Sequence, residues 1–282
     1  LKVLRTIPEV REFREGQGKV GFVPTMGAFH DGHLDLMRAA KDSCGRCIVS
    51  LFVNPLQFGP HEDLSKYPRQ EERDFEMASS VGVDAIFAPN VDSLYGNNQT
   101  LVSVGGPSEN FEGSRRPGHF QGVATVVLKL FNIVQPTEAW FGLKDLQQCA
   151  VLNRMCLDLN LNLQLRFLET RRDERGLARS SRNAYLTEVQ REKACELHRT
   201  LNSLSQATSD SSLKDLRRMI TSASNHLAIH EFEVEYLDLV DPVTFESPEG
   251  SLQGCHWIVA TKFHGVRLID NVAVGHSRLL AQ

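Results

Sequence analysis

The sequence lacks any stretch approaching the roughly 18 consecutive apolar residues that a bilayer-spanning helix requires. Residues 1–20 also lack the apolar core of a secretory signal. The expectation is therefore a cytoplasmic location with no membrane partner, and Leu1 in place of an initiator Met suggests a processed or trimmed start. Cysteine is sparse, with six in 282 residues. The six are scattered and mostly fall in apolar stretches, which excludes a disulfide framework and predicts reduced thiols. Cys44 and Cys47 form one C-x-x-C, but no second pair completes a zinc site. A strong charge imbalance is missing too. The net charge of -4 gives no global attraction to nucleic acid or to an anionic membrane. Repeats and low-complexity tracts are absent, apart from a short Ser-rich break at 209–212.

What is present is an ordinary globular composition, 41% hydrophobic and 23% charged, in a chain long enough for one large or two modest domains. Short apolar runs at 19–23, 47–53, 84–88, 139–141 and 163–168 alternate with helical patterns near 33–42, 67–81, 120–133 and 146–159. That βαβ texture predicts an α/β fold with a Rossmann-like parallel sheet over residues 1–174, binding ligands at the carboxyl ends of its strands. Beyond it, polar helical stretches at 188–206 and 213–228 precede strand-like runs at 233–240, 256–262 and 266–271. The last two runs are joined at His264-Gly265 as in a hairpin. Residues 175–282 are thus expected to form a smaller α+β domain, a natural lid.

The most informative stretch is Pro24-Thr25-Met26-Gly27-Ala28-Phe29-His30-Asp31-Gly32-His33, between the first strong strand and the first helix expected from the pattern. Gly27 and Gly32 let a backbone approach a ligand closely, and the helix that follows aims free N–H groups at an anion. His30 and His33 can donate to phosphate oxygens. The plainer alternative is a tight turn carrying two surface histidines. A metal site is disfavoured, because no Glu stands in the H-E-x-x-H position. A basic cluster at Arg171, Arg172, Arg175, Arg179 and Arg182 is a second candidate for attracting phosphate, although it lacks the interleaved aromatics of a nucleic-acid binder.

The string from Pro24 to His33 resembles the P-T-M-G-A-L-H-x-G-H of the pantothenate synthetases (pantoate–β-alanine ligases), differing only at Phe29. Further blocks are similar to that family in order: Val53-Asn54-Pro55-Leu56-Gln57-Phe58, Asp63-Leu64 with Tyr67-Pro68-Arg69, and Arg116-Pro117-Gly118-His119-Phe120. Lys144-Asp145 with Gln147-Gln148, Ser180-Ser181-Arg182-Asn183 and Gly265-Val266-Arg267-Leu268-Ile269-Asp270-Asn271 complete the series.

The resemblance implies ATP-dependent joining of pantoate to β-alanine through a pantoyl adenylate, with Mg2+ accompanying ATP and a homodimeric assembly. It implies that His30 and His33 hold the ATP phosphates, His33 helping pyrophosphate leave, with Met26, Gly27 and Gly32 beside the nucleotide. It gives Gly142, Lys144, Asp145, Arg171, Arg179, Ser180, Ser181 and Arg182 to ATP as well, with Lys144 and the Ser-Ser-Arg triplet acting in catalysis. Gln57 and Gln148 grip pantoate or β-alanine, and Asp74 is a candidate for the metal environment. Four positions depart from the family pattern. Leu143 stands where an acidic or amide residue is usual and Arg179 where an apolar one is, while Arg171 replaces Val and Arg175 replaces Asp. The alternatives are another nucleotidyltransferase of the same superfamily and a catalytically impaired nucleotide-binding homologue.

Overall fold

A computed structural model describes residues 1–60, 62–97, 99–208 and 215–281. The chain forms two compact units, one of residues Leu1–Gly142 and Val151–Leu168, the other of Leu143–Ala150 and Glu169–Gln282. The Ser-rich break at 209–212 and the first residues of the helix expected from 213 lie outside the described residues.

The first unit carries β1 (Lys2–Leu4), β2 (Gly21–Thr25), β3 (Cys47–Leu51), β4 (Ala85–Phe87), β5 (Glu138–Gly142) and β6 (Gln164–Leu168). They form one sheet of order β1-β4-β3-β2-β5-β6, parallel at every pairing. Its helices are α1 (Ile7–Arg14), α2 (Asp31–Cys44), α3 (Glu71–Ser80), the single turns α4 (Val91–Leu94) and α5 (Glu112–Arg115), and α6 (His119–Val134). The helix α7 (Leu146–Asp158) follows β5.

Alternation along the strands sends side chains to both faces of the sheet, and both are covered. On one face Val23, Val49 and Ile86 pack with Leu34, Met37, Ala40 and Ala78 of α2 and α3. On the other, Phe22 and Phe141 meet the Phe131 ring of α6 edge-on, with centroids 6.4 and 6.5 Å away. The chain steps outward from β2 through β3 to β4 and then returns to build β5 and β6 on the opposite side. The order therefore reverses between β2 and β5, and in such sheets the ligand crevice lies outside the carboxyl ends of the strands at that reversal. The loop leaving β2 is the 24–33 segment.

The strand β1 and helix α1 are additions to the elements expected from the sequence. Both are short, and α1 is announced only by its cap: Thr6 Oγ1 accepts from Glu9 N–H while the Glu9 carboxylate accepts from Thr6 N–H.

In the second unit, α8 (Glu188–Ala194), α9 (Glu196–Thr208) and α10 (Leu216–Ile229) pack on an antiparallel sheet of β7 (Glu233–Val240), β8 (His256–Phe263) and β9 (Val266–Ala273). The helix expected over 188–206 is in fact two, separated at Cys195. Trp257, Phe263, Leu201, Leu227 and Phe232 form its buried centre. The β8–β9 turn has positive φ at both His264 (47°) and Gly265 (78°), the backbone of a type I′ hairpin.

Candidate active site

In the first unit the site is built around the loop after β2. Gly27 and Ala28 both take positive φ, 86° and 53°. For Ala28 this is an uncommon and unfavourable conformation. The compensation is Asp74 of α3, which is only 1% exposed. Its two oxygens accept from Ala28 N–H and Phe29 N–H, each at 2.8 Å. A Cβ at position 27 would stand 2.9 Å from an Asp74 oxygen, so glycine is required there for space as well as for φ. Burial raises the Asp74 pKa, opposed by the two N–H donors. Both carboxylate oxygens are thus engaged by the loop. Asp74 clamps the backbone in front of His30.

His30 and His33 enter at the N-terminus of α2, where the first N–H groups and the helix dipole favour an anion. Their rings stack with centroids 4.1 Å apart. His33 Nδ1 accepts from His30 N–H at 3.4 Å, which in the neutral ring leaves the proton on Nε2. Gly32 lies in the first turn of α2.

Gln57 ends a 3-10 turn, Pro55–Gln57, and is buried. Its amide oxygen accepts from Asn54 Nδ2 at 3.0 Å, and its amide nitrogen contacts Met26 Sδ at 3.1 Å. Asn54 is fixed in turn by the Gly122 carbonyl and by the Tyr95 hydroxyl. The Gln57 carbonyl accepts from His119 Nδ1 at 2.9 Å. That assigns the other nitrogen of this ring as the acceptor facing Arg116 Nη1, at 3.1 Å. Burial, with Arg116 beside it, holds the His119 pKa down at about 4, so the ring is neutral. Arg116 also pairs with Glu62 at 2.6 Å. Helix α6 approaches this turn so closely at Gly122 that a Cβ there would lie 2.3 Å from the Leu56 carbonyl oxygen.

The second unit holds Lys144, Asp145 and Gln148 near the start of α7, and Arg171, Arg179, Ser180, Ser181 and Arg182 in the segment before α8. Lys144 Nζ lies 3.7 Å from Asp145 Oδ1. Gly142 closes β5 with open space where a Cβ would stand. Asn271 of β9 donates from Nδ2 to the carbonyls of Leu143 (2.8 Å) and Lys144 (3.1 Å). Its Oδ1 faces His256 Nδ1 at 3.0 Å, so that nitrogen carries the proton, and His256 Nε2 accepts from the Ser277 hydroxyl at 2.7 Å. Burial pushes the His256 pKa down to about 4.

The five arginines do not act as one cluster. Arg172 forms a two-pronged pair with the buried Asp270 at 2.7 and 2.8 Å, and Arg175 pairs with Glu188 at 2.9 Å. Arg171 and Arg179 are exposed, and the Arg179 N–H donates to the Arg171 carbonyl. Ser180 caps the 3-10 turn Ser181–Tyr185, accepting from Arg182 N–H at 3.3 Å.

Asn54, Arg116, His119, Asp270 and Asn271 lie in the motif blocks, and no local signal in the sequence gives the first three a role. Asp270 and Asn271 carry a readable signal, two consecutive buried polar residues in the strand Val266–Ala273, which a packed sheet tolerates only when both are satisfied. Burial raises the Cys44 and Cys47 pKa values to about 11 and about 12.

The family model for pantoate-beta-alanine ligase matches residues 2–273. The chain belongs to the pantoate-beta-alanine ligase family. Pantothenate synthetase 1 of Bradyrhizobium diazoefficiens is 42% identical over 98% of this chain and 99% of that protein. The crystal structure of pantothenate synthetase from Thermus thermophilus superimposes with a TM-score of 0.91 at 43% identity, covering 98% of this chain and all of that one. The Francisella tularensis pantoate-beta-alanine ligase, complexed with beta-gamma ATP and beta-alanine, gives a TM-score of 0.80 at 30% identity over 97% and 98% of the two chains. As a member of the pantoate-beta-alanine ligases this protein is an enzyme, and its parallel sheet with a separate small antiparallel sheet is an architecture it shares with these neighbours.

Proposed function

We propose that this ligase activates pantoate with ATP and transfers the pantoyl group to β-alanine, and that its two histidines and two glutamines divide the work as follows. The observation that carries the reading is the clamped loop at the carboxyl end of β2, with a pair of stacked histidines at the mouth of a helix N-terminus. In the first step a pantoate carboxylate oxygen attacks the α-phosphorus, a new P–O bond forms, the bond to the β-phosphate bridge breaks and pyrophosphate leaves. His33 Nε2–H and the α2 N-terminus stabilise the charge that grows on that leaving group. In the second step the amine of β-alanine attacks the pantoyl carbonyl carbon, the C–O bond to the phosphate breaks, AMP leaves and the amine gives up a proton.

Gln57 is suited to hold a pantoate hydroxyl. Its amide nitrogen rests against a thioether, a weak acceptor, and is cheaply released to a ligand, while Asn54 and His119 keep the rest of the residue in place. On the resemblance, Gln148 is proposed to bind pantoate or β-alanine, Lys144 and the triplet Ser180, Ser181 and Arg182 to bind ATP and act in catalysis, and Met26, Gly27, Gly32, Gly142, Asp145, Arg171 and Arg179 to bind ATP. No protein nucleophile is needed, since positioning alone can contribute on the order of 7 to 11 kcal/mol. Magnesium is proposed to ride on the ATP phosphates, where protein carboxylates contribute few ligands, with Asp74 as the candidate carboxylate near it. A homodimer and a cytoplasmic location are proposed on the resemblance.

The test is pyrophosphate release from Mg-ATP with pantoate alone, followed by addition of β-alanine. Release with pantoate, then AMP and pantothenate only after β-alanine, is the expected course. ATP binding without pyrophosphate release for any acceptor would sink the ligase reading, and AMP retained on the product would indicate a nucleotidyl transfer.

A further inference from the structure

Away from the residues assigned to the ligase reaction, α9 and α10 bring together three side chains that the reaction does not use. Glu196 opens α9; His226 and His230 lie one turn apart at the end of α10 and just past it. One donor atom from each can be chosen so that all three lie within 4.8 Å of one another, the one such grouping of His, Cys or acidic residues among the described residues. His226 Nε2 is 2.8 Å from Glu196 Oε1, and the two imidazole rings sit 4.6 Å apart, tilted by 53°. Tetrahedral ligands at roughly 2.0–2.1 Å from a zinc ion stand a little over 3 Å apart. Small side-chain rotations therefore bring the three donors into range.

Two further features favour a metal over a simple hydrogen bond. The Glu196 carboxylate is oriented from behind: its other oxygen, Oε2, accepts from Arg199 Nη1 at 3.2 Å, leaving Oε1 turned to His226. Such outer hydrogen bonds aim ligating carboxylates in known metal sites. The group is also reachable, since His226 and His230 are exposed and a cavity of about 550 Å³ lined in part by Glu196 and His226 opens beside them.

We infer that Glu196, His226 and His230 bind one divalent first-row transition ion, with zinc as the representative, leaving a fourth position open to water. Two nitrogen donors and one oxygen select such ions and disfavour magnesium, which prefers an all-oxygen shell. The site is therefore distinct from the metal that accompanies ATP. It links the first turn of α9 to the end of α10, and an ion bound there stabilises that helix pair by linkage.

Metal-stripped protein titrated calorimetrically with zinc chloride, in excess magnesium, tests the inference. Wild type is expected to take up one zinc ion per chain and to melt at a higher temperature in its presence. His226→Ala and His230→Ala are each expected to weaken binding at least tenfold, and the double variant to lose both the binding and the thermal shift while keeping full ligase turnover. No zinc uptake by wild type overturns the site. So does uptake that the double variant retains unchanged, which would place the ion elsewhere, for example on the stacked His30–His33 pair.

Discussion

The carboxylate of Asp74 accepts from the N–H of Ala28, a residue held at φ 53°. A buried acid on one helix thereby keeps a backbone turn in a conformation that few side chains favour, and His30 follows two residues later. Replacing Asp74 with Asn leaves at most one good acceptor for two N–H groups and turns an amide N–H toward a donor. We expect a loss of about 2 kcal/mol of stability, read by denaturant melting, with a fall in pyrophosphate release from the displaced histidines. Unchanged values of both would remove the clamp from the argument.

For His33→Ala, pyrophosphate release should fall roughly 100-fold or more at saturating ATP and pantoate, as for loss of one charge-stabilising donor. Single-turnover kinetics check it, and wild-type turnover would take His33 out of the chemistry.

Asn271→Ala deprives two carbonyls, those of Leu143 and Lys144, and the His256 N–H of their partner. The expected cost is about 1–3 kcal/mol for the buried groups left unsatisfied. Asn271→Asp should be worse, because a carboxylate facing two carbonyls has nothing to donate. Comparing the melting curves of the two variants separates these cases, and equal stability would show that the amide donor is dispensable.

Gly122→Ala puts a methyl group 2.3 Å from the Leu56 carbonyl oxygen. Helix α6 must then retreat from the Pro55–Gln57 turn, at an overpacking cost of about 1–3 kcal/mol. If Gln57 holds pantoate, KM for pantoate should rise while KM for ATP changes little, a split that steady-state kinetics resolves.

The His256 pKa is held at about 4, below the ordinary 6.5, because burial penalises its charged form. As pH falls from 6.5 toward 4 the unfolded chain takes up this proton before the folded one, so stability drops across that window and is complete above it. His256→Gln should flatten that decline relative to wild type in urea melts at successive pH values. Parallel curves would show that His256 does not contribute to it.

Much of this was legible in the sequence because the signals were local. Glycine and histidine between a strand and a helix located the loop after β2, and strand–helix alternation gave the parallel sheet. The purely long-range relations were not legible. No periodicity tells that Arg172 is committed to Asp270, 98 residues away, so a run of arginines looked like one basic patch when two of its members were already paired. Asp74 lay in the same blind spot: an acid in a polar helix gives no sign that two N–H groups 45 and 46 residues earlier claim its oxygens. The break at Cys195 was hidden because neither Pro nor Gly marks it. The strand β1, three residues long, is too short for alternation to register.

The path of the chain sets a rule for anyone who would dissect it. Leu143–Ala150 belongs to the second unit yet lies in sequence between β5 and β6 of the first. A fragment begun at Glu169 would carry Asn271 without the two carbonyls it grips, and one ended at Leu168 would carry those carbonyls without Asn271. Neither half can be expressed whole by a single cut. Genetic separation of the two units calls for a graft of the 143–150 segment or a permuted chain, and a protease nick between 168 and 169 should leave two pieces that need each other to stay folded.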